Sequence, residues 1–355
     1  MGILTFFLAI LYTGGSAHRL FSAESHKVLS RRPTPGLANS LRILWGIYAA
    51  FTAAVVLALL AAGCSAFDAV CHAMTALSTG GYSPYDASID AYRAAGYGQY
   101  ALIEYILIVG MLLGGINFFV HHRLLRGSVR ALWDSLEMRL WWAIVFGGTA
   151  LVMLERQLKH APGTGVSFAA LEESFRASWF QIVSLVTTTG FGTKDIASDY
   201  FPALSKQIFL ALMVVGGCVG STGGGIKVLR IGVLAKMVGR QLRRLTYGPS
   251  AVHPLVVDGE TMDAEELRRI AALFFGWIAL LAVGGGITAL LSEHGALESA
   301  SGMFSALGNI GPCYIPTPQM AQLHPGIKIV YILGMLAGRL EILPLLLLLS
   351  PRTWR

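Results

Sequence analysis

The chain has 355 residues, of which 54% are hydrophobic and 13% charged. A soluble domain carries about a quarter charged residues, so this composition excludes an ordinary water-soluble globule. The net charge of +7 does not indicate nucleic-acid binding, because the basic residues fall in alternate loops rather than on one face.

In chain order, an apolar run opens the sequence at 1–13. No basic residue precedes it, so it does not read as a secretory signal. Further apolar blocks follow at 41–62, 99–120, 140–154, 205–235, 270–291 and 326–350. Blocks of about 20 apolar residues cross about 30 Å of hydrocarbon, which predicts an all-α polytopic membrane protein. Arg19, Lys27, Arg31 and Arg32 precede the 41–62 block. Arg123, Arg126, Arg130 and Arg139 follow the 99–120 block, and Lys236, Arg240, Arg243 and Arg244 follow the 205–235 block. Basic loops stay cytoplasmic. The loop at 82–104, with Asp86, Asp90 and Glu104 against Arg93, is assigned outside. Cys64, Cys71, Cys218 and Cys313 form no C-x-x-C pair and join no histidine cluster, so they read as small apolar residues.

Three connections share one pattern: "FDAVCHAMTALSTGGYSPYD" (67–86), "LEESFRASWFQIVSLVTTTGFGTKD" (171–195) and "LESASGMFSALGNIGPCY" (297–314). Each opens near an acidic residue (Asp68, Glu172, Glu298), continues with about ten helix-compatible residues, and reaches a glycine at 81, 190 or 311. A repeat of this kind predicts one structural unit used several times. A half-helix of about ten residues cannot cross a bilayer, so each is expected to be re-entrant and to return as extended chain. Extended backbone at membrane depth is tolerated only where it lines a watery path, and rings of carbonyls can there replace an ion's hydration shell. Gly190 is expected to turn its carbonyl to such a path. Thr187, Thr188 and Thr189 are expected to add carbonyls and hydroxyls, and Phe191 to pack outward and steady the loop.

A second glycine-rich string, "GGCVGSTGGGIK" (216–227), lies inside the 205–235 block. It fails as a nucleotide loop, because Ile226 separates glycine from Lys227. It also fails as a serine-hydrolase elbow, because Val219 stands where glycine is needed. Gly216, Gly217, Gly220, Gly223, Gly224 and Gly225 are expected to break the helix, either to face water or to allow close helix packing. Lys227 is expected to snorkel to the cytoplasmic side. Arg339 and Glu341 lie within the last apolar block. Ionisable residues at membrane depth usually face a cavity or a partner.

These residues resemble the membrane subunit of the Trk/Ktr/HKT potassium transporter superfamily, most closely its TrkH branch. The resemblance rests on "STGGYSPYDASI" (78–89), "TTTGF" (187–191), "GGCVGSTGGGIKVLRI" (216–231), "NIGP" (309–312) and "GRLEILPLLLLLSPRTWR" (338–355). It implies four helix, half-helix, filter-loop, helix repeats in a pseudo-fourfold channel-like arrangement, of which three filter loops are recognised. The implied units are the end of a first repeat at 1–40, a second repeat at 41–139, a third at 140–269 and a fourth at 270–355. On this reading the chain begins after the first filter loop and is not expected to conduct by itself.

The implied potassium-binding filter comprises Ser78, Thr79, Gly80, Gly81, Thr187, Thr188, Thr189, Gly190, Asn309, Ile310 and Gly311. Asn309 to Pro312 lacks a threonine before its glycine, which predicts an unequal filter with weaker discrimination between potassium and sodium. The implied gate is a flexible loop of Gly220, Ser221, Thr222, Gly223, Gly224 and Gly225, with Arg339 projecting into the pore below the filter. The expected function is passive potassium uptake in the bacterial inner membrane, without enzyme chemistry or a bound cofactor, potassium being the transported ion. The implied partners are a second copy, membrane lipid and a cytosolic nucleotide-binding, TrkA-like regulatory subunit. The alternatives are a sodium- or proton-coupled symporter, with Glu341 as the main acidic candidate, and a non-conducting fragment or assembly subunit.

Overall fold

The computed structural model describes residues 37–160, 167–246, 254–340 and 342. The opening apolar run, the basic residues before 37, Glu341 and the last motif beyond 342 lie outside them. The described residues form thirteen α-helices, one 3₁₀ turn and one hairpin. In order the helices are α1 (Leu37–Ala61), α2 (Ala66–Leu77), α3 (Asp90–Ala94), α4 (Tyr100–Gly115), α5 (Phe118–Leu125), α6 (Leu136–His160) and α7 (Phe168–Val186). They continue as α8 (Ala203–Leu212), α9 (Val228–Thr246), α10 (Ala264–Leu291), α11 (Ala296–Gly308), α12 (Thr317–Gln322) and α13 (Pro325–Leu340). Strands β1 (Val256–Val257) and β2 (Glu260–Thr261) pair antiparallel between α9 and α10.

Among the described residues, three helices are long and apolar enough to cross a membrane: α1, α6 and α10. Their exposed faces carry Leu57, Leu60, Phe146, Leu151, Leu154, Phe275, Ile278 and Val283, as lipid-facing surfaces do. The main core lies where α1, α2, α4, α6 and α7 meet, around Leu59, Leu77, Met111, Trp141 and Phe180. A second core joins α10, α11 and α13 around Trp277, Met303 and Tyr331.

Two expected spans are broken. The 99–120 block divides into α4 and α5, bent by 105°. Ile116 is extended (ψ 150°), and the Asn117 side chain then caps α5 by accepting from Phe119 N at 2.8 Å. The break frees the Gly114 and Gly115 carbonyls, which accept from Thr222 N and Cys218 N at 3.1 and 3.0 Å. The 205–235 block stops at Leu212 and resumes at Val228.

The half-helices α2 and α11 have 12 and 13 residues, but α7 has 19. Its extra turns start at Ser167, whose hydroxyl accepts from Ala170 N at 3.2 Å. Glu172 therefore lies inside α7, not at its start, and pairs with Arg176 one turn later at 2.8 Å. Arg176 also pairs with Glu104 of α4, both side chains being 4% exposed. Glu104, assigned from sequence to an external loop, is thus a buried partner holding α4 to α7.

Candidate functional site

The three repeated segments end in one backbone conformation. Two residues before each glycine the chain turns left-handed at a residue with a side chain: Thr79 (φ 53°), Thr188 (φ 57°) and Asn309 (φ 56°). The glycines follow with φ of 65° at Gly81, 90° at Gly190 and 107° at Gly311. Left-handed backbone is costly for residues other than glycine, so its recurrence at equivalent sites means that packing enforces it.

A hydroxyl residue six positions before each glycine supplies part of that enforcement. Thr75 O accepts from Gly80 N at 2.8 Å, Ser184 O from Thr189 N at 2.9 Å, and Ser305 O from Ile310 N at 3.1 Å. The side chains then reach the loops. Thr75 Oγ1 donates to Tyr82 O at 2.9 Å, Ser184 Oγ donates to Phe191 O at 2.6 Å, and Ser305 Oγ accepts from Gly311 N at 3.0 Å. The amide groups of the loops are thereby turned toward the half-helices. Among the described residues, no hydrogen bond uses the carbonyls of Thr79, Gly80, Thr188, Thr189, Asn309 or Ile310.

The loops touch one another in sequence. A side chain begun at Gly81 would lie 1.8 Å from Thr189 O, and one begun at Gly190 would lie 1.8 Å from Ile310 O. Each glycine thus receives the carbonyl of the following loop, with the same sense at both contacts. The threonine hydroxyls are already committed. Thr187 Oγ1 donates to Val183 O at 2.7 Å and lies 2.8 Å from Thr189 Oγ1, while Thr79 Oγ1 donates to Ser78 O at 2.7 Å. Phe191 is fully buried, 5.8 Å from the His72 ring between centroids, and so braces the loop from behind.

The segment between α8 and α9 is a pinned loop. Val215 and Ile226 form a parallel bridge at its base, where a side chain begun at Gly216 would lie 1.8 Å from Gly224 O. Its tip passes beneath the three half-helix ends in turn. Thr222 Oγ1 donates to Leu77 O at 2.9 Å and lies 3.0 Å from Gly114 O. A side chain begun at Gly223 would meet Thr187 O at 3.0 Å, and one begun at Gly224 would meet Gly308 O at 2.9 Å. Ser221 Oγ donates to Cys218 O at 2.6 Å, and Gly220 turns left-handed (φ 75°) against Asn117. These glycines permit close crossings of backbone on backbone.

Arg339 Nη1 on α13 donates to Thr222 O at 3.2 Å. One turn earlier on α13, Met335 O accepts from Asn309 Nδ2 at 3.1 Å. Lys227, expected to snorkel, instead donates to Gly223 O. Glu137, 2% exposed at the start of α6, accepts from Val219 N at 2.7 Å.

The structure therefore gathers the sequence-selected residues into two adjoining tiers: the loops bearing Ser78 to Gly81, Thr187 to Gly190 and Asn309 to Gly311, and the segment 220–225 with Arg339. Sequence reasoning missed Thr75, Ser184, Ser305 and Glu137. The first three had a legible signal, since their spacings equal those of the three glycines. Glu137 had none, because its partner is a backbone amide far away in sequence.

Comparison with known proteins gives the family of the chain. The profile of TrkH, a cation transport protein family, matches residues 2–354. The Trk system potassium uptake protein TrkH of Escherichia coli K12 is 32% identical over 359 residues, covering 100% of this chain and 71% of that protein. Its counterpart in Vibrio parahaemolyticus is 33% identical over 363 residues, with 71% of that protein covered. The crystal structure of the potassium transporter TrkH from Vibrio parahaemolyticus superposes with a TM-score of 0.79 at 30% identity, across 100% of this chain and 70% of that one. The match spans both tiers and the helices that carry them: the chain belongs to the TrkH family of cation transport proteins.

Proposed function

We propose that this chain is the ion-translocating subunit of a potassium uptake system in the bacterial inner membrane. The observation that carries the reading is the interlock of the loops: Gly81 against Thr189 O and Gly190 against Ile310 O, with the carbonyls before each glycine free of hydrogen bonds among the described residues. Free carbonyls held around a common axis can replace the water shell of a monovalent cation. The committed threonine hydroxyls leave this work to the backbone. Ions move down their electrochemical gradient, with no covalent chemistry. The segment 220–225 with Arg339 acts as the gate beneath them, since it crosses all three half-helix ends and brings a cation to the path. Protomers pair in the membrane, and a cytosolic nucleotide-binding subunit acts from below on the basic loops at 121–139 and 236–244. The relatives' description as proteins of a Trk system supports assembly with other components.

The test is competition between potassium and sodium flux in vesicles, with Gly81→Ser and Gly190→Ser made in a protein completed by a first filter-loop segment. Both should discriminate less than the unaltered protein. Undiminished selectivity in both would show that these glycines are only turns.

A further inference from the structure

Thr188 shares its left-handed backbone with Thr79 and Asn309 but adds a contact that no ion-coordinating role requires. Its backbone is left-handed, at φ 57°, and its Oγ1 accepts a hydrogen bond from Gly224 N at 2.6 Å, 36 residues away in sequence. The side chain is 1% exposed. The carbonyl of this residue belongs to the proposed filter, while the amide belongs to the proposed gate. The equivalent Thr79 spends its hydroxyl within its own loop, on Ser78 O. Asn309 sends its amide to Met335 O on α13. Among these three left-handed residues, Thr188 is the one hydrogen-bonded directly to the glycine segment.

We propose that Thr188 is the positioning residue that couples the two tiers, so that the glycine segment sets the geometry of the cation site and cation occupancy sets the order of the segment. This rests on the filter and gate reading above. The physical chain is short. Left-handed backbone at threonine persists only where surroundings hold it, and Gly224 N–H is one of those holds. If the segment moves away, the hydroxyl loses its donor, and φ at 188 can relax to an ordinary value. That rotation turns the Thr188 peptide and with it a carbonyl of the filter. Coupling between two sites is reciprocal, so a cation that fits these carbonyls also favours the docked segment. Gly224 is suited to the role because its amide approaches where a side chain would collide with Gly308 O, at 2.9 Å.

The experiment is hydrogen–deuterium exchange of the full chain in detergent, in potassium and then in sodium at equal ionic strength. Two peptides are read: the loop around 184–192 and the segment 216–227. In the unaltered protein, potassium should slow exchange in both, several-fold relative to sodium. In Thr188→Val the segment should lose its potassium response and the response of the loop should weaken. Thr188→Ser, which keeps the hydroxyl, should restore the response. Thr188→Gly, which accepts left-handed backbone without strain, should behave as valine does and stands in if valine does not fold. A potassium response confined to the loop in the unaltered protein would overturn the coupling while leaving the filter reading intact. A response in the segment that survives in both Thr188→Val and Thr188→Gly would overturn it too. Potassium protection of neither peptide would remove the filter reading and the coupling together.

Discussion

The carbonyl oxygen of Thr189 occupies the place where a side chain of Gly81 would begin, 1.8 Å from that position. A methyl group there demands movement of the neighbouring loop's backbone, and left-handed strain adds about 1–2 kcal/mol. Gly81→Ala should therefore lower the preference for potassium over sodium by about tenfold, which corresponds to about 1.4 kcal/mol. Gly311 has nothing within 4 Å among the described residues, so Gly311→Ala should carry the strain but not the collision. Flux competition across the pair checks the order, and an equal loss in both would refute the interlock as its cause.

Ser184 ties the end of α7 to the Phe191 carbonyl. Its side chain is fully buried, so Ser184→Ala leaves that carbonyl without its donor, at a cost of about 1–3 kcal/mol. Thr75→Val should cost less, because Tyr82 is 77% exposed and water can reach its carbonyl. Thermal unfolding in detergent should rank the two in that order.

The pairing of Arg176 with Glu104 and Glu172 is a stability device away from the carbonyl tier. Removing one partner of a buried ion pair costs about 3–5 kcal/mol, whereas replacing both with apolar residues can be neutral. Arg176→Met should thus sharply lower the unfolding temperature. The double variant Arg176→Met with Glu104→Leu should recover part of the loss. Cation selectivity should be unchanged wherever the protein folds.

The glycine segment offers two contrasting variants. Deleting 220–224 removes the tip that crosses the half-helix ends, and ion flux through vesicles should rise. Arg339→Ala removes the hydrogen bond to Thr222 O and should raise flux to a smaller extent. Gly216→Ala instead places a methyl 1.8 Å from Gly224 O and should destabilise the protein, whereas Gly239→Ala, in open space, should not. Unchanged flux in a folded deletion variant would leave the segment a packing element.

The sequence by itself determined the class of the protein and most of the residues of interest. Apolar blocks matched to bilayer thickness, basic residues in alternate loops and three glycines behind amphipathic segments are local signals that survive without coordinates. The glycine spacing even locates Thr75, Ser184 and Ser305. What only the tertiary structure decided is how these pieces meet. Hydropathy cannot separate an unbroken span from one bent at Ile116 or interrupted between Leu212 and Val228, because each half remains apolar. Composition counted Glu104 as a loop charge, since its partner Arg176 is 72 residues away. The glycines of 216–225 read as flexible because glycine allows many conformations. Packed against Thr187 O, Gly308 O and one another, they are also residues small enough for backbone to cross backbone. Such contacts depend on which carbonyl arrives from a distant loop, and one-dimensional periodicity carries no record of that.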